Sequence, residues 1–135
     1  MSLKLSLFRI FTIGWMTLIF TLSSQPSFPA VSLFSGADLL AHAVIYGILG
    51  WLLARSLVPA QVTTWGRVLL ITMLVVAYGI TDEYHQAFVP NRDASVWDVL
   101  ADGLGGFLAA VWLFWRERQT VTDSRILSAV KECER

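Results

Sequence analysis

Residues Arg67–His85 read RVLLITMLVVAYGITDEYH. Nothing charged stands between Arg67 and Asp82. Coiled as a helix at 1.5 Å per residue, the stretch is about 28 Å long, close to the hydrocarbon thickness of a bilayer. Three other stretches have the same character: Phe8–Ser24, Asp38–Leu57 and Val96–Trp115. Breaks separate them, at Pro26, Pro29 and Gly36, at Pro59 and Gly66, and at Pro90 and Asn91. The pattern predicts an all-α membrane protein, a four-transmembrane-helix bundle. Residues 1–116 form the membrane domain and 117–135 a polar tail. Val121, Ile126, Leu127 and Val130 could give that tail a short surface helix.

Composition agrees. The chain has 135 residues, 56% of them hydrophobic and 15% charged, against about 25% charged in a typical soluble domain. Mean hydropathy is +0.62. One soluble core of this size cannot hide so much apolar surface, whereas the lipid bilayer accepts it. The formal net charge is zero, which argues against nucleic acid as a partner. The single cysteine, Cys133, stands in the polar tail as an incidental thiol. Lys4 and Arg9 ahead of an apolar run resemble the start of a signal peptide. The run is longer than most signal cores, however, and no clean small-residue cleavage site follows Ser24. The segment is expected to stay as the first span.

Basic residues orient membrane helices. Lys4, Arg9, Arg55, Arg67, Arg116, Arg118, Arg125, Lys131 and Arg135 fall on one side of the predicted topology, and Arg92 alone on the other. Both termini are therefore expected to be cytoplasmic, in a multi-pass protein of the bacterial cytoplasmic (inner) membrane. Trp51, Trp65, Trp112 and Trp115 fit the inner interfacial belt, and Trp97 the outer one.

The acids run the other way. Asp38, Asp82, Glu83, Asp93, Asp98 and Asp102 all lie at or near outer span ends, as do His42 and His85. Asp38, His42 and Tyr46 are four apart and form a stripe about 12 Å long. Tyr78, Asp82, His85 and Gln86 share a face of the third span, with Glu83 beside them. Ser95, Asp98 and Asp102 share a face of the fourth. A charge facing lipid costs from a few to more than ten kcal/mol, so the stripes are expected to meet in one outward-open pocket. Asp98 and Asp102 lie about 6 Å apart along the axis and need compensation by Arg92, a histidinium, a shared proton or a divalent cation such as Mg²⁺.

Plainer roles compete with a functional one. A single Ser, Tyr or Gln on a membrane helix is commonly interhelical glue, worth about 0.6–2 kcal/mol. Asp38 is placed to cap its helix, and Asp93 reads as a solvated loop acid. Asp82, Glu83, His85, Asp98 and Asp102 are more ionisable groups than glue requires, and they form the candidate catalytic set. His42, Tyr46, Gln86, Arg92, Ser95 and Gln25 form the candidate ligand-binding set. Asp82, Asp98 and Asp102 are the candidate metal ligands. Gly47, Gly50, Gly79, Gly103, Gly105 and Gly106 read as close-packing positions, and such glycine faces could support a homodimer.

In residue type and order the chain resembles the VanZ-like family of bacterial membrane proteins. The resemblance rests on Ser23-Ser24-Gln25-Pro26, Asp38-x-x-x-His42-x-x-x-Tyr46, Asp82-Glu83-Tyr84-His85-Gln86-x-Phe88-Val89-Pro90-x-Arg92, and Ser95-x-x-Asp98-x-x-x-Asp102-x-x-Gly105. It covers nearly everything before the tail. The family's second-span motif commonly has a lysine where Asp38 stands, so no role is carried onto Asp38. The resemblance implies a cell-envelope setting and a link to resistance to the glycopeptide teicoplanin. Two functional readings follow. In one, the pocket binds a lipid-linked or glycopeptide-like ligand, with Arg92 holding an anionic group. In the other, the chain is a metal-dependent hydrolase or transferase acting on a lipid-linked phosphate or ester, with His42 or His85 as general acid/base. Proton or ion transfer ranks below both, because the inner half of every span is almost purely apolar.

Overall fold

The computed structural model describes residues 3–26, 36–57 and 64–133. Pro29, Pro59 and Arg135, named above, lie outside them. Four helices follow in order: α1 (Leu3–Ser23), α2 (Ala37–Leu57), α3 (Trp65–Gln86) and α4 (Val96–Cys133). There is no strand among the described residues. All four helices are long and apolar enough to cross a membrane. Large apolar side chains such as Phe11, Ile13, Leu69, Met73 and Leu108 point away from the bundle, as a lipid-facing surface requires.

Local chemistry sets the helix ends. Thr64 caps α3 in an extended conformation, its hydroxyl accepting from the Arg67 amide. Gly36, at φ 91°, leads into α2. Asp38 therefore falls inside the first turn of α2, two residues past the capping position, which Gly36 occupies. There its charge favours the positive end of the helix. Ser95 caps α4, its hydroxyl accepting from the Trp97 amide at 3.2 Å. Between α3 and α4 the Arg92 amide donates to the Val89 carbonyl. Pro90 and Asn91 hold the centre of that turn, with Asn91 at φ 62°. A type II turn favours proline first and needs positive φ second, which asparagine tolerates.

Two helices outrun the apolar stretches that marked them. α1 begins five residues before Phe8, because Lys4 and Ser6 are compatible with a helix although they lower hydropathy. α4 continues past Trp115 to Cys133 as one helix of 38 residues. Residues 116–133 contain no glycine or proline to stop it. The separate surface helix anticipated in the tail is thus an unbroken extension of the fourth span. Glu117, just past the expected domain boundary, turns its side chain into the bundle. It accepts from Arg67 Nη1 at 2.6 Å, and Arg55 Nη1 lies 3.9 Å from its other oxygen. Arg67 Nη2 also donates to the Ala54 carbonyl at 2.5 Å. This network ties α2, α3 and α4 together at the end opposite the acids.

α4 packs most closely on α2 and then on α3, while α1 leans on α2 and α3 without reaching α4. Glycines allow the α2–α4 approach. A Cβ on Gly50 would stand 2.8 Å from Gly106 Cα, and one on Gly105 would overlap the Ala43 carbonyl. Gly103 and Gly106 meet Val76 and Val75 of α3. Gly50, Gly103, Gly105 and Gly106 are thus close-packing positions against the chain's own helices. Two apolar clusters fill the middle of the bundle. Ala54, Val68, Ile71, Ala110, Leu113 and Phe114 form one, and Ile19, Tyr46, Leu49 and Val75 the other.

Candidate functional site

The ends of α1 and α3 and the starts of α2 and α4 meet at one end of the bundle, and the polar stripes converge there. Asp82 is buried between three donors. Ser23 Oγ donates to Oδ1 at 2.6 Å; Tyr46 Oη and Gln86 Nε2 donate to Oδ2 at 3.0 and 3.1 Å. Such a set satisfies a carboxylate that water cannot reach. The next residue, Glu83, is rotated 100° around the helix and faces the start of α4 instead. Its Oε2 accepts from the Ser95 amide at 2.7 Å and its Oε1 from Gln86 Nε2 at 3.3 Å.

Asp102 is fully buried. A Cβ on Gly79 would stand 2.5 Å from Asp102 Oδ2, so the glycine leaves the space the carboxylate occupies. Asp102 Oδ1 lies 2.9 Å from His42 Nδ1, while Oδ2 has no hydrogen-bond partner. On the other side of the ring, Nε2 lies 4.0 Å from Asp98 Oδ2, so the two nitrogens of His42 face two carboxylates. Donor atoms of His42, Glu83 and Asp98 all lie within 4.8 Å of one another, close enough to hold a metal ion.

The Pro90–Asn91 turn throws Arg92 back over the end of α1. Its guanidinium donates to the Leu22 and Gln25 carbonyls at 3.3 and 3.2 Å, and to Gln86 Oε1 at 3.3 Å. A cation there complements the negative end of the α1 dipole. All three partners are neutral oxygens, and no ion pair of Arg92 with a carboxylate is found among the described residues. Below it opens a cavity of about 240 Å³. Ser23, His42, Tyr46, Asp82, Gln86, Arg92 and Asp98 line its walls, with Asp38 and Asp93 also on its lining and Ile19, Leu22 and Ile45 as an apolar side.

Most of the residues read from sequence thus stand at one place, in distinguishable positions. His42, Tyr46, Asp82, Gln86, Arg92 and Asp98 face the cavity; Glu83 and Asp102 support it from behind. Three stand apart. His85 turns to α1, with Nε2 3.0 Å from Ser24 Oγ and its ring stacked on Phe20. The Ser95 hydroxyl is engaged as a helix cap. The Gln25 side chain bonds back to Thr21, and only its backbone carbonyl meets Arg92. Of the three acids expected as metal ligands, Asp82 is held by its own donors, and His42 and Glu83 stand beside Asp98 instead. Ser23, Asp38 and Asp93 were not among the candidate site residues. The Ser23-Ser24-Gln25-Pro26 motif was the available signal for Ser23 and the four-residue spacing to His42 the signal for Asp38, whereas Asp93 depends on loop geometry.

Arg92 offers positive charge, four carboxylates accept hydrogen bonds or cations, and the His42–Asp102 pair can take up or release a proton. A family model described as VanZ/LLP1 matches residues 8–117. No curated protein and no solved structure matches the chain.

Proposed function

The chain belongs to the VanZ/LLP1 family, and from that premise we propose that it is an envelope-facing membrane protein whose pocket binds a lipid-linked or glycopeptide-like ligand. The pocket opens on the outer side of the bacterial inner membrane. Arg92 holds an anionic group, while Asp38 and Asp98 take hydroxyl or amine donors. The observation that carries the reading is the cavity between the four helices. His42, Asp82, Gln86, Arg92 and Asp98 line it opposite an apolar side of Ile19, Leu22 and Ile45, and two apolar clusters separate it from the charged network at the other end of the bundle. Glue between helices does not call for a cavity, since paired polar groups close on one another.

Expression in a teicoplanin-susceptible host tests the reading. The wild-type chain is expected to raise the inhibitory concentration of teicoplanin. Arg92→Ala and Asp98→Ala, expressed to the same level, are expected to return it to that of the empty vector. Variants as protective as the wild type would remove the pocket from the function.

The His42–Asp102 contact favours a second reading, a hydrolase or transferase acting on a lipid-linked phosphate or ester. A carboxylate that orients a histidine toward a cavity is the arrangement of a general base. Turnover of isoprenoid diphosphates or phospholipids by the purified protein, lost in His42→Gln, is its expected signature. No turnover of either substrate class by the wild type would dismiss it.

A further inference from the structure

We propose that His42 Nε2, Glu83 and Asp98 form a binding site for one divalent transition-metal ion of the zinc or manganese kind. The inference deepens the pocket reading, since the ion would sit in the wall of the same cavity.

Three observations carry it. The first is the donor set. One imidazole and two carboxylates, from α2, α3 and α4, have ligand atoms within 4.8 Å of one another. Tetrahedral bonds of about 2.1 Å put neighbouring ligands about 3.4 Å apart, so rotation of side chains closes the set. His42 and Asp98 are partly exposed to the cavity, which leaves room for an ion and for ligands beyond the three.

The second is the partner behind the histidine. Asp102 is fully buried and contacts Nδ1 at 2.9 Å. Metal-binding histidines almost always donate their second nitrogen's proton to such an acceptor, which fixes the tautomer and aims the lone pair. Here the nitrogen left over, Nε2, stands on the side of Asp98, 4.0 Å from its Oδ2.

The third is uncompensated charge. The buried Oδ2 of Asp102 has no partner. Glu83, Asp98 and Asp102 crowd round one imidazole, and the guanidinium of Arg92 is bonded to neutral oxygens. A buried carboxylate without a compensating cation is strongly disfavoured. A divalent ion bound by His42 would lower that cost for all three acids.

Ligand type selects the metal. An imidazole donor suits zinc and its neighbours, whereas magnesium takes oxygen ligands and keeps several waters. Asp82 stands outside the set: among the described residues the ligand atoms that lie within 4.8 Å of one another are those of His42, Glu83 and Asp98, and Asp82 turns instead to Ser23, Tyr46 and Gln86.

Full-length chain, purified in detergent through a histidine-free tag and stripped with chelator, is titrated with Zn²⁺, Mn²⁺ and Mg²⁺. One ion of Zn²⁺ or Mn²⁺ per chain is expected, not displaced by a large excess of Mg²⁺. His42→Ala and Asp98→Asn are expected to lose that binding. Asp102→Asn should weaken it about 10–100-fold, as loss of an outer partner does. His85→Ala, whose ring lies against α1, should leave it unchanged. A structural role for Asp102 alone would lower the stability of the stripped protein without this change in affinity. Absence of stoichiometric binding, or binding that survives both His42→Ala and Asp98→Asn, overturns the proposal. Should one of those two not fold, the other decides. Metal binding without any effect on teicoplanin susceptibility would fail the ligand reading alone. Altered susceptibility without metal binding would fail this inference alone.

Discussion

Tyr46 forms the floor of the pocket. Its ring packs into the apolar cluster with Leu49 and Val75, and its hydroxyl reaches Asp82 at 3.0 Å. One residue thus joins the dry half of the bundle to the polar half. Tyr46→Phe keeps the ring and removes the donor, leaving Asp82 Oδ2 with Gln86 alone. The expected cost is about 1–3 kcal/mol, that of a weakened buried acceptor. Chemical denaturation of the detergent-solubilised protein would measure it, and an unchanged midpoint would mean that water replaces the hydroxyl. The stripe containing Tyr46 was legible from its four-residue spacing. The division of labour between Asp82 and Glu83 was not. Sequence places both at the end of one helix, but a 100° step separates their directions, and only the positions of α1 and α4 decide what each one meets. The same reason explains His85. It shares a face with Asp82 on paper, yet α1 stands over the edge of that face and captures the ring.

Glycine at the α2–α4 crossing lets two backbones touch. At Gly105 any Cβ meets the Ala43 carbonyl, which belongs to a helix and cannot yield as a side chain can. Gly105→Ala is therefore expected to cost about 1–3 kcal/mol, the usual range for overpacking. It should also open the pocket, because α2 carries His42 and α4 carries Asp98. Thermal unfolding of the purified variant checks the first effect. Equal stability of Gly105→Ala and wild type would show that the helices can separate freely. All four helices were legible as elements, since long apolar runs admit few alternatives. Their ends were less so. Hydropathy marks where a helix leaves lipid rather than where it stops, and α4 runs 18 residues beyond Trp115 because no residue there breaks it. The glycines were read correctly as packing positions, but sequence could not say whether the opposing surface was another chain or the same one.

Across the whole molecule, charge is sorted by end. Arg55, Arg67 and Glu117 form the network at one end, and the acids and His42 surround the pocket at the other. If the basic end lies inside, as the bias of Lys and Arg toward the cytoplasm would have it, the pocket faces outward. Cys133 is exposed and is the sole cysteine of the chain, which makes it a reporter. A membrane-impermeant maleimide should leave Cys133 unlabelled in intact cells and label it in inverted vesicles. Asp93→Cys in a Cys133→Ser background should show the reverse. Labelling of Cys133 in intact cells would turn the protein over and put the pocket in the cytoplasm.

The two apolar clusters below Tyr46 have an electrical consequence. They are the low-dielectric layer between two aqueous faces, so most of the transmembrane voltage falls across them. The pocket, which opens to one side, stays close to the potential of the solution it faces. A full crossing of the membrane is worth about 2.3 kcal/mol per elementary charge per 100 mV. An ion or anionic group entering this pocket experiences little of that. Binding there is therefore expected to depend far less on membrane voltage than a full crossing would.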